Sequence, residues 1–251
     1  MEGRYNRNRI YILKEEQKII KEVPILLAGS GIGSVIAECA LRFGFENITI
    51  IDGDQVELSN LNRQNYIETD IHIDKVEALQ KRLKSINKDA NISIHRKFLN
   101  SKNVKSYIKG HEIAVNALDF SSDIPLVFDS ICQEQKIPVL HPYNLGWGSL
   151  VAVITPDSVA LDSSAKPNQK FDEIQMVKYI SGYLKFEGHP QKWIDEALKK
   201  YLSEDKNLSP PQLSVGSWMV AGMCTHLLFN IATKRKIKKF PAFYFSSIFK
   251  D

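Results

Sequence analysis

The sequence predicts an α/β fold built on a doubly wound, mostly parallel sheet. Three observations predict it. Short apolar runs alternate with helical patterns through the first half of the chain. The first of these runs ends in a glycine-rich turn. The 251 residues, 43% hydrophobic and 25% charged, are typical of one globular unit and exclude a disordered chain or a repeat array. We expect a single domain over residues 1–251, with an N-terminal arm or helix over 1–22.

The first half predicts strands and crossover helices in alternation. Residues 23–28 form a short apolar run ended by glycines, which predicts a buried strand. The next helix spans 32–43 and stops at Gly44. Apolar residues repeat at helical spacing in 75–86, which predicts a second helix. Further strands are predicted at 47–52, 91–95, 112–118 and 137–143, with a helix at 125–135.

The second half predicts antiparallel strands and a helical insertion. Residues 149–155 form a strand that need not run parallel to the others, and 242–249 predict a closing edge strand. The polar stretch 157–212 contains helical patterns at 171–185 and 191–201, with breaks at 166–170 and at Pro210 and Pro211. We expect it to be a capping or mobile insertion on the sheet. The apolar stretch 213–231 contains several polar residues, which favours a buried helix over a membrane span.

Charge and cysteine content limit the possible partners and metals. The net charge of +4 is too small to indicate nucleic-acid binding by itself. Cys39, Cys132 and Cys224 lie far apart with no CxxC motif, which argues against a disulfide framework and a structural zinc site. The N-terminus lacks the apolar segment of a signal peptide. We expect a soluble cytoplasmic protein that does not bind a membrane.

The turn after the first strand predicts a nucleotide site. It reads Ala-Gly-Ser-Gly-Ile-Gly over 28–33, and Gly29, Gly31 and Gly33 allow the backbone to approach a phosphate at a helix N-terminus. Asp52 ends the next strand, where an acid binds ribose hydroxyls in dinucleotide folds. The alternative is a tight turn that binds nothing.

Charged residues near these strand ends favour a triphosphate over a dinucleotide. Asp54 follows Asp52, and Arg63 and Lys75 supply the cations that ATP requires. In isolation, both cations are more typical of a solvated loop. Asp119 ends a later strand, where it can hold Mg²⁺ against phosphates. Asp119 is also a suitable N-cap for a helix beginning at Phe120.

Together these residues resemble the ThiF/MoeB/HesA family, the bacterial relatives of ubiquitin-activating enzymes. The most specific part is Ile-Ile-Asp-Gly-Asp-Gln-Val-Glu-Leu-Ser-Asn-Leu-Asn-Arg-Gln over 50–64, and Arg-Tyr-Asn-Arg over 4–7 matches the opening motif. The resemblance covers roughly 4–155 and the late helix. It implies ATP- and Mg²⁺-dependent adenylation of a carboxylate. The residues that it implies for nucleotide binding are Gly29, Gly31, Gly33, Asp52, Asp54, Asn60, Arg63 and Lys75.

The resemblance also implies catalytic residues and partners. Arg63, Lys75 and Asp119 would act in catalysis, with Mg²⁺ on Asp119, and Arg7 would reach into the neighbouring subunit of a homodimer. The acceptor would be a small Gly-terminated protein or peptide, and we expect the insertion 157–212 to bind it. The family's zinc-binding CxxC pairs are absent, Ala28 and Ser30 stand in two glycine places, and no cysteine occurs in 157–212. Adenylation without an enzyme thioester is therefore expected.

Two further segments and three competing functions remain open. The loop 141–148, with Gly146 and Gly148, is either a groove for the acceptor's tail or a turn with a packed Trp147. The basic run 234–239 is either a solvated helix end or a surface for tRNA. Three functions compete with the activation of a protein or peptide. The first is that of a tRNA-modifying relative, resembling the threonylcarbamoyladenosine dehydratase. The others are an NAD(P)-dependent oxidoreductase and a non-catalytic scaffold.

Overall fold

The computed structural model describes residues 3–164, 171–205 and 208–249. Its strands are β1 (Ile25–Ala28), β2 (Asn47–Asp52), β3 (Asn91–Arg96), β4 (Ile113–Asn116), β5 (Val139–Asn144), β6 (Gly148–Ile154) and β7 (Phe243–Ser247). Its α-helices are α1 (Lys14–Glu22), α2 (Ile32–Phe43), α3 (Lys75–Ile86), α4 (Val104–Ile108), α5 (Ile124–Glu134), α6 (Glu173–Phe186), α7 (Lys192–Leu202) and α8 (Ser214–Ala232). The helices α2 and α3 and the strand β2 have the predicted bounds.

The sheet confirms the predicted fold class. Seven strands lie in the order β3-β2-β1-β4-β5-β6-β7. The pairs among β1 to β5 are parallel, with Leu27 of β1 between Ile50 of β2 and Val115 of β4. The order reverses at β1, which places a ligand-binding crevice outside the carboxyl ends of β1 and β4. The last two pairings, β5 with β6 and β6 with β7, are antiparallel, and β7 is the predicted edge strand.

Helices cover both faces of the sheet. On one face α1, α2, α3 and α8 pack over strand residues such as Leu27, Ile50 and Val115. On the other face α4, α5 and α6 pack over residues such as Leu26, Ala114 and Val139. Both sets of strand residues are buried because parallel strands lie between two layers of helices.

The late apolar helix α8 is part of the core, as predicted. It packs against α2, β5 and β6, and residues such as Val220, Cys224 and Leu228 are buried. Among the described helices, α8 is the one that is long and apolar enough, by length and composition alone, to cross a bilayer. Half of its most apolar 18-residue stretch is buried in the fold.

The insertion is built into the layer on the α5 face. Its helix α6 contributes Met176 and Ile180 to the core cluster there, which explains why a polar stretch still folds against the sheet. Asp172 caps α6 by accepting a hydrogen bond from the Gln175 N–H at 2.8 Å. The predicted helices at 171–185 and 191–201 are confirmed by α6 and α7. The predicted break at 166–170 lies outside the described residues.

Candidate functional site

The predicted nucleotide residues lie at the carboxyl ends of three adjacent strands. The glycine turn follows β1, Asp52 ends β2, and Asp119 comes three residues after the end of β4. Gly29 has a φ of +89° and lies so close to Ala117 that a Cβ there would clash with the Ala117 carbonyl oxygen. The turns after β1 and β4 are therefore packed directly against each other, and only glycine fits between them.

Ser30 connects the glycine turn to Asp52. One oxygen of the Asp52 carboxylate accepts the Ser30 N–H at 2.6 Å and the Ser30 hydroxyl at 2.8 Å. Its other oxygen accepts the Asp54 N–H at 2.8 Å. The serine that replaces a glycine in the family's pattern thus orients the acid that we predict to bind ribose.

The start of α2 offers polar groups to an anion. Its N-cap is Gly31, so no side chain caps the first turn, and the N-terminal N–H groups of a helix attract phosphate. Gln64 lies beside Gly31, where a Cβ would stand 3.3 Å from the Gln64 amide nitrogen. The Gln64 amide oxygen is buried and has no hydrogen-bond partner among the residues that the structure describes. The free N–H groups fit a phosphate, and the Gln64 oxygen, which can only accept, fits a donor such as a ribose hydroxyl, so these features fit a bound nucleotide better than a turn that binds nothing.

Arg63 is held in place by its guanidinium. Its Nε donates to the Gln212 side-chain oxygen at 2.6 Å, and its Nη1 donates to the Ser59 carbonyl and the Asn62 side chain, both at 2.8 Å. Burial lowers the pKa of this half-buried arginine, which stays protonated at neutral pH. Gln212 ends the insertion, and no sequence pattern predicted this contact.

Lys75 and Asn60 are buried at this edge of the sheet. Lys75 is the first residue of α3, is 7% exposed, and donates to Asp54 through its ammonium at 3.0 Å. The side-chain oxygen of Asn60 accepts the Glu57 N–H at 3.0 Å, which fixes the loop before Arg63. Lys75 is therefore not a solvated loop lysine.

A buried acid that the sequence analysis missed anchors the arginine loop. Glu38 of α2 accepts hydrogen bonds from Asn65, Arg82 and Arg42. Burial alone would raise the pKa of Glu38, but these donors outweigh it and lower the pKa below its ordinary value. The only sequence signal was a charged residue on the face of α2 that also carries buried Ser34 and Leu41.

Asp119 is exposed, and part of its carboxylate is unused. Its Oδ1 accepts hydrogen bonds from the N–H and hydroxyl of Ser121, while its Oδ2 has no partner within the described ranges. The helix α5 begins at Ile124 with Asp123 as its N-cap, so Asp119 does not cap a helix at Phe120. Mg²⁺ commonly rests on one carboxylate, phosphate oxygens and water, and this donor fits that arrangement.

Arg7 lies far from this chain's own glycine turn. It lines a surface cavity of about 320 Å³ whose other walls include Phe43, His226 and Phe229. Phe43 ends α2, so the cavity and the turn are separated by roughly the 18 Å length of that helix. The structure does not bring Arg7 to the other predicted site residues within one chain.

The remaining candidates have structural partners. Cys132 and Cys224 are buried, and burial raises the pKa of both thiols, as expected of packing residues.

Trp147 is 48% exposed and stacks on Phe249 with the ring centroids 5.7 Å apart. In the basic run, Arg235 pairs with Glu16 and Lys239 with Asp157. Within 3–164, 171–205 and 208–249, no three His, Cys, Asp or Glu side chains form a metal-binding group.

Three comparisons with known proteins agree with this architecture. The sequence model of the ThiF family matches residues 5–249. The sulfur carrier protein ThiS adenylyltransferase of Bacillus subtilis is 32% identical over 164 residues, which is 63% of this chain and 48% of that protein. The tRNA threonylcarbamoyladenosine dehydratase of Escherichia coli is 30% identical over 141 residues, which is 55% of this chain and 50% of that protein.

A solved structure shows the same fold over nearly the whole chain. The crystal structure of E. coli MccB with ATP superposes with a TM-score of 0.70 at 18% identity, over 93% of this chain and 64% of MccB. At this identity the likeness concerns the fold alone. The chain spans about half the length of these two curated relatives.

Proposed function

Because this chain belongs to the ThiF family, we propose that it is an ATP-dependent adenylyltransferase that activates a carboxylate. The acceptor is the C-terminus of a ubiquitin-like or sulfur-carrier protein, or of a peptide, and the products are an acyl-adenylate and pyrophosphate. The observation that carries this proposal is the Ser30–Asp52 contact beside an uncapped helix N-terminus, with Arg63 held on the adjacent loop. The similarity to an adenylyltransferase of a sulfur carrier protein supports it. We place this reaction in the cytoplasm.

The ribose and the phosphates are bound by different parts of the site. Asp52 accepts the ribose hydroxyls, in the orientation that Ser30 gives its carboxylate. Gly29, Gly31 and Gly33 bring the backbone close to the phosphates, which lie at the N-terminus of α2. Asn60 fixes the loop that turns Arg63 toward the phosphates.

Charge neutralisation comes from two cations and from the Mg²⁺ that one acid would hold. Arg63 and Lys75 balance the charge of the triphosphate, and Asp54 keeps the buried Lys75 ammonium in place. Asp119 would hold Mg²⁺ through its unused Oδ2. When bound, Mg²⁺ supplies further neutralisation of the phosphate oxygens.

The chemical step needs little covalent help from the protein. An oxygen of the acceptor carboxylate attacks the α-phosphorus, the bond from that phosphorus to the bridging oxygen breaks, and pyrophosphate leaves with the electron pair. The chain's residues act by positioning and by stabilising the charge that develops on the phosphates. None of the three cysteines takes part, which is consistent with the buried thiols of Cys132 and Cys224.

We place Arg7 in the partner's site of a two-fold dimer. Arg7 lines the same cavity as His226, which lies in the second half of α8, while Gln212, just before the start of α8, contacts Arg63. The stretch of α8 from Ser214 to His226 spans about 18 Å. Antiparallel pairing of two α8 helices therefore brings Arg7 of one subunit toward Arg63 of the other.

The outer face of α8 suits such a pairing. The helix carries no Asp, Glu, Lys or Arg, and Trp218 is 52% exposed. Gly222 lies near the middle of the helix, and a Cβ added there would have no described atom within 4 Å. Because this position is open and has no side chain, a second helix can approach closely here. An uncharged, partly exposed helix face of this kind is typical of an interface between subunits.

A tRNA-modifying activity is the second candidate, because the chain is similar to a tRNA-modifying dehydratase. In the structure, two cations of the basic run 234–239 are already paired with acids, which leaves less free charge for a phosphate backbone. Retention of tRNA by the purified protein, with binding that weakens steeply in salt, would favour this candidate.

The proposed function is tested by ATP–pyrophosphate exchange with small Gly-terminated proteins and peptides as acceptors. We expect exchange that depends on both the acceptor and Mg²⁺. Calorimetric titration with each nucleotide distinguishes an adenylyltransferase from an oxidoreductase, because an oxidoreductase would bind NAD(P) in place of ATP. Binding of neither nucleotide, together with absence of exchange, would favour the non-catalytic scaffold and contradict the proposal.

A further inference from the structure

We propose that Glu173, on the insertion, is a positioning residue for Asp119. The carboxylate of Glu173 holds Phe120, the residue directly after Asp119, and so fixes the turn that presents the Asp119 carboxylate. This inference rests on the proposed function, in which Asp119 holds Mg²⁺ beside the nucleotide.

Two contacts connect the start of α6 to Phe120. The Glu173 Oε1 accepts the backbone N–H of Phe120 at 3.0 Å. The Phe120 ring meets the Phe171 ring edge-on, with the centroids 5.2 Å apart. Phe120 is 7% exposed and Phe171 is 3% exposed, so the ring contact is shielded from water, and the hydrogen bond is partly buried. A carboxylate is the stronger kind of acceptor for a backbone N–H.

The loop that carries Asp119 is fixed at both ends by a different set of contacts. Asn116, at the end of β4, donates to the Pro125 carbonyl and to Asp129 of α5, both at 2.9 Å. These bonds set where the loop 117–123 begins and where α5 begins. They do not touch Asp119 or Phe120. The Phe120 ring also stacks on His141 of β5, with the centroids 6.4 Å apart, so the middle of the loop is positioned by that ring contact and by the contacts to α6.

Among the described residues, the Asp119 carboxylate makes no hydrogen bond to a strand of the sheet that would fix its orientation. Within the described part of the chain, its Oδ1 accepts only from Ser121, which belongs to the same loop, so these bonds move with the loop. Among the residues that the structure describes, the Glu173–Phe120 bond is the hydrogen bond that links Asp119 and Phe120 to an element outside the loop. The insertion 157–212 therefore has two roles. It covers one face of the sheet, and through Glu173 it positions the carboxylate that holds Mg²⁺.

Variants of two neighbouring residues separate positioning from helix stability. Glu173→Ala removes the acceptor of the Phe120 N–H, whereas Glu173→Gln keeps a side-chain oxygen in its place. Asp172→Ala removes the N-cap of α6 and leaves the Phe120 contact untouched. Two quantities are measured for each variant. The first is the hydrogen-exchange rate of the Phe120 amide without nucleotide, and the second is the Mg²⁺ concentration that gives half-maximal ATP binding in calorimetry.

For Glu173→Ala we expect the Phe120 amide to exchange at least about tenfold faster and the Mg²⁺ requirement to rise about tenfold. Glu173→Gln and Asp172→Ala should stay within about twofold of the original chain for both quantities. An unchanged amide rate in Glu173→Ala would overturn the contact. A faster amide with an unchanged Mg²⁺ requirement, or an equal change in Asp172→Ala, would overturn the positioning role. If the original chain shows no Mg²⁺-dependent ATP binding, the proposed function fails and this inference fails with it.

Discussion

Ser30 donates two hydrogen bonds to a single oxygen of Asp52, from its backbone N–H at 2.6 Å and from its hydroxyl at 2.8 Å. The glycine turn after β1 and the acid at the end of β2 are therefore one unit. Tyr66 adds a third connection, because its hydroxyl donates to the Ser30 carbonyl at 2.8 Å. The turn, the acid and the arginine loop keep their relative positions without help from a side-chain cap on α2.

The glycines of this turn should differ in how they tolerate alanine. Gly29→Ala should destabilise the fold by about 2 kcal/mol or more, because the position has a φ of +89° and a Cβ would clash with the Ala117 carbonyl. Gly33→Ala should change stability by less than about 1 kcal/mol, since its Cβ would meet ordinary contacts at 3.9 Å. Urea unfolding measures both, and equal losses would contradict this assignment.

The guanidinium fork of Arg63 should matter beyond its charge. Arg63→Lys keeps the positive charge but loses the combined bonds to Gln212, Ser59 and Asn62. We expect the rate of ATP–pyrophosphate exchange to fall by about 100-fold, the effect of losing one or two charge-assisted hydrogen bonds. An unchanged thermal midpoint would show that the fold is intact, and an exchange rate within twofold of the original would contradict the role.

Glu38 should make stability dependent on acid pH. Its pKa is lowered in the fold, so its contribution to the free energy of unfolding is full above its ordinary pKa and is lost as the pH falls through the lowered pKa. Glu38→Gln should therefore be less stable than the original chain at pH 7 and should lose less stability between about pH 5 and 3. Denaturant unfolding across this range measures the slopes. Glu196→Gln, at an exposed position of α7, is the control and should leave the slope unchanged.

Arg7 should act in trans, and mixing two inactive variants tests this. Arg7→Ala and Asp119→Ala each disable every site of a homodimer, but a mixed dimer contains one complete site if Arg7 serves the partner. Random mixing should restore about a quarter of the original exchange activity. No activity after verified subunit exchange would place Arg7 in its own chain's site, and full activity of Arg7→Ala alone would place Arg7 outside catalysis.

Local patterns in the sequence were sufficient for most of the fold. Helices α2 and α3 and strand β2 follow from apolar spacing and from glycine stops, so their bounds agree with the structure. The short helix α4 was missed because five residues give too little periodicity. The antiparallel strands β6 and β7 were predicted from composition, and their pairing required the structure.

The site was predictable in its residues and much less so in its contacts. The glycine turn, Asp52, Arg63 and Lys75 are close in sequence, and parallel strands bring their ends together. The contacts of Glu38, Gln212 and Glu173 join segments 27 to 149 residues apart. No local pattern specifies such pairs, because they depend on how whole helices pack.

The central claim is that the strand ends hold ATP·Mg²⁺ so that its α-phosphorus is transferred to a carboxylate. ATP–pyrophosphate exchange with a Gly-terminated acceptor tests it most directly, in the original chain, in Asp119→Ala and in a control, Asp89→Ala, at an exposed turn before β3. We predict exchange in the original chain and in the control, and a loss of at least about 100-fold in Asp119→Ala with the fold intact. Exchange that persists undiminished in Asp119→Ala would contradict the account.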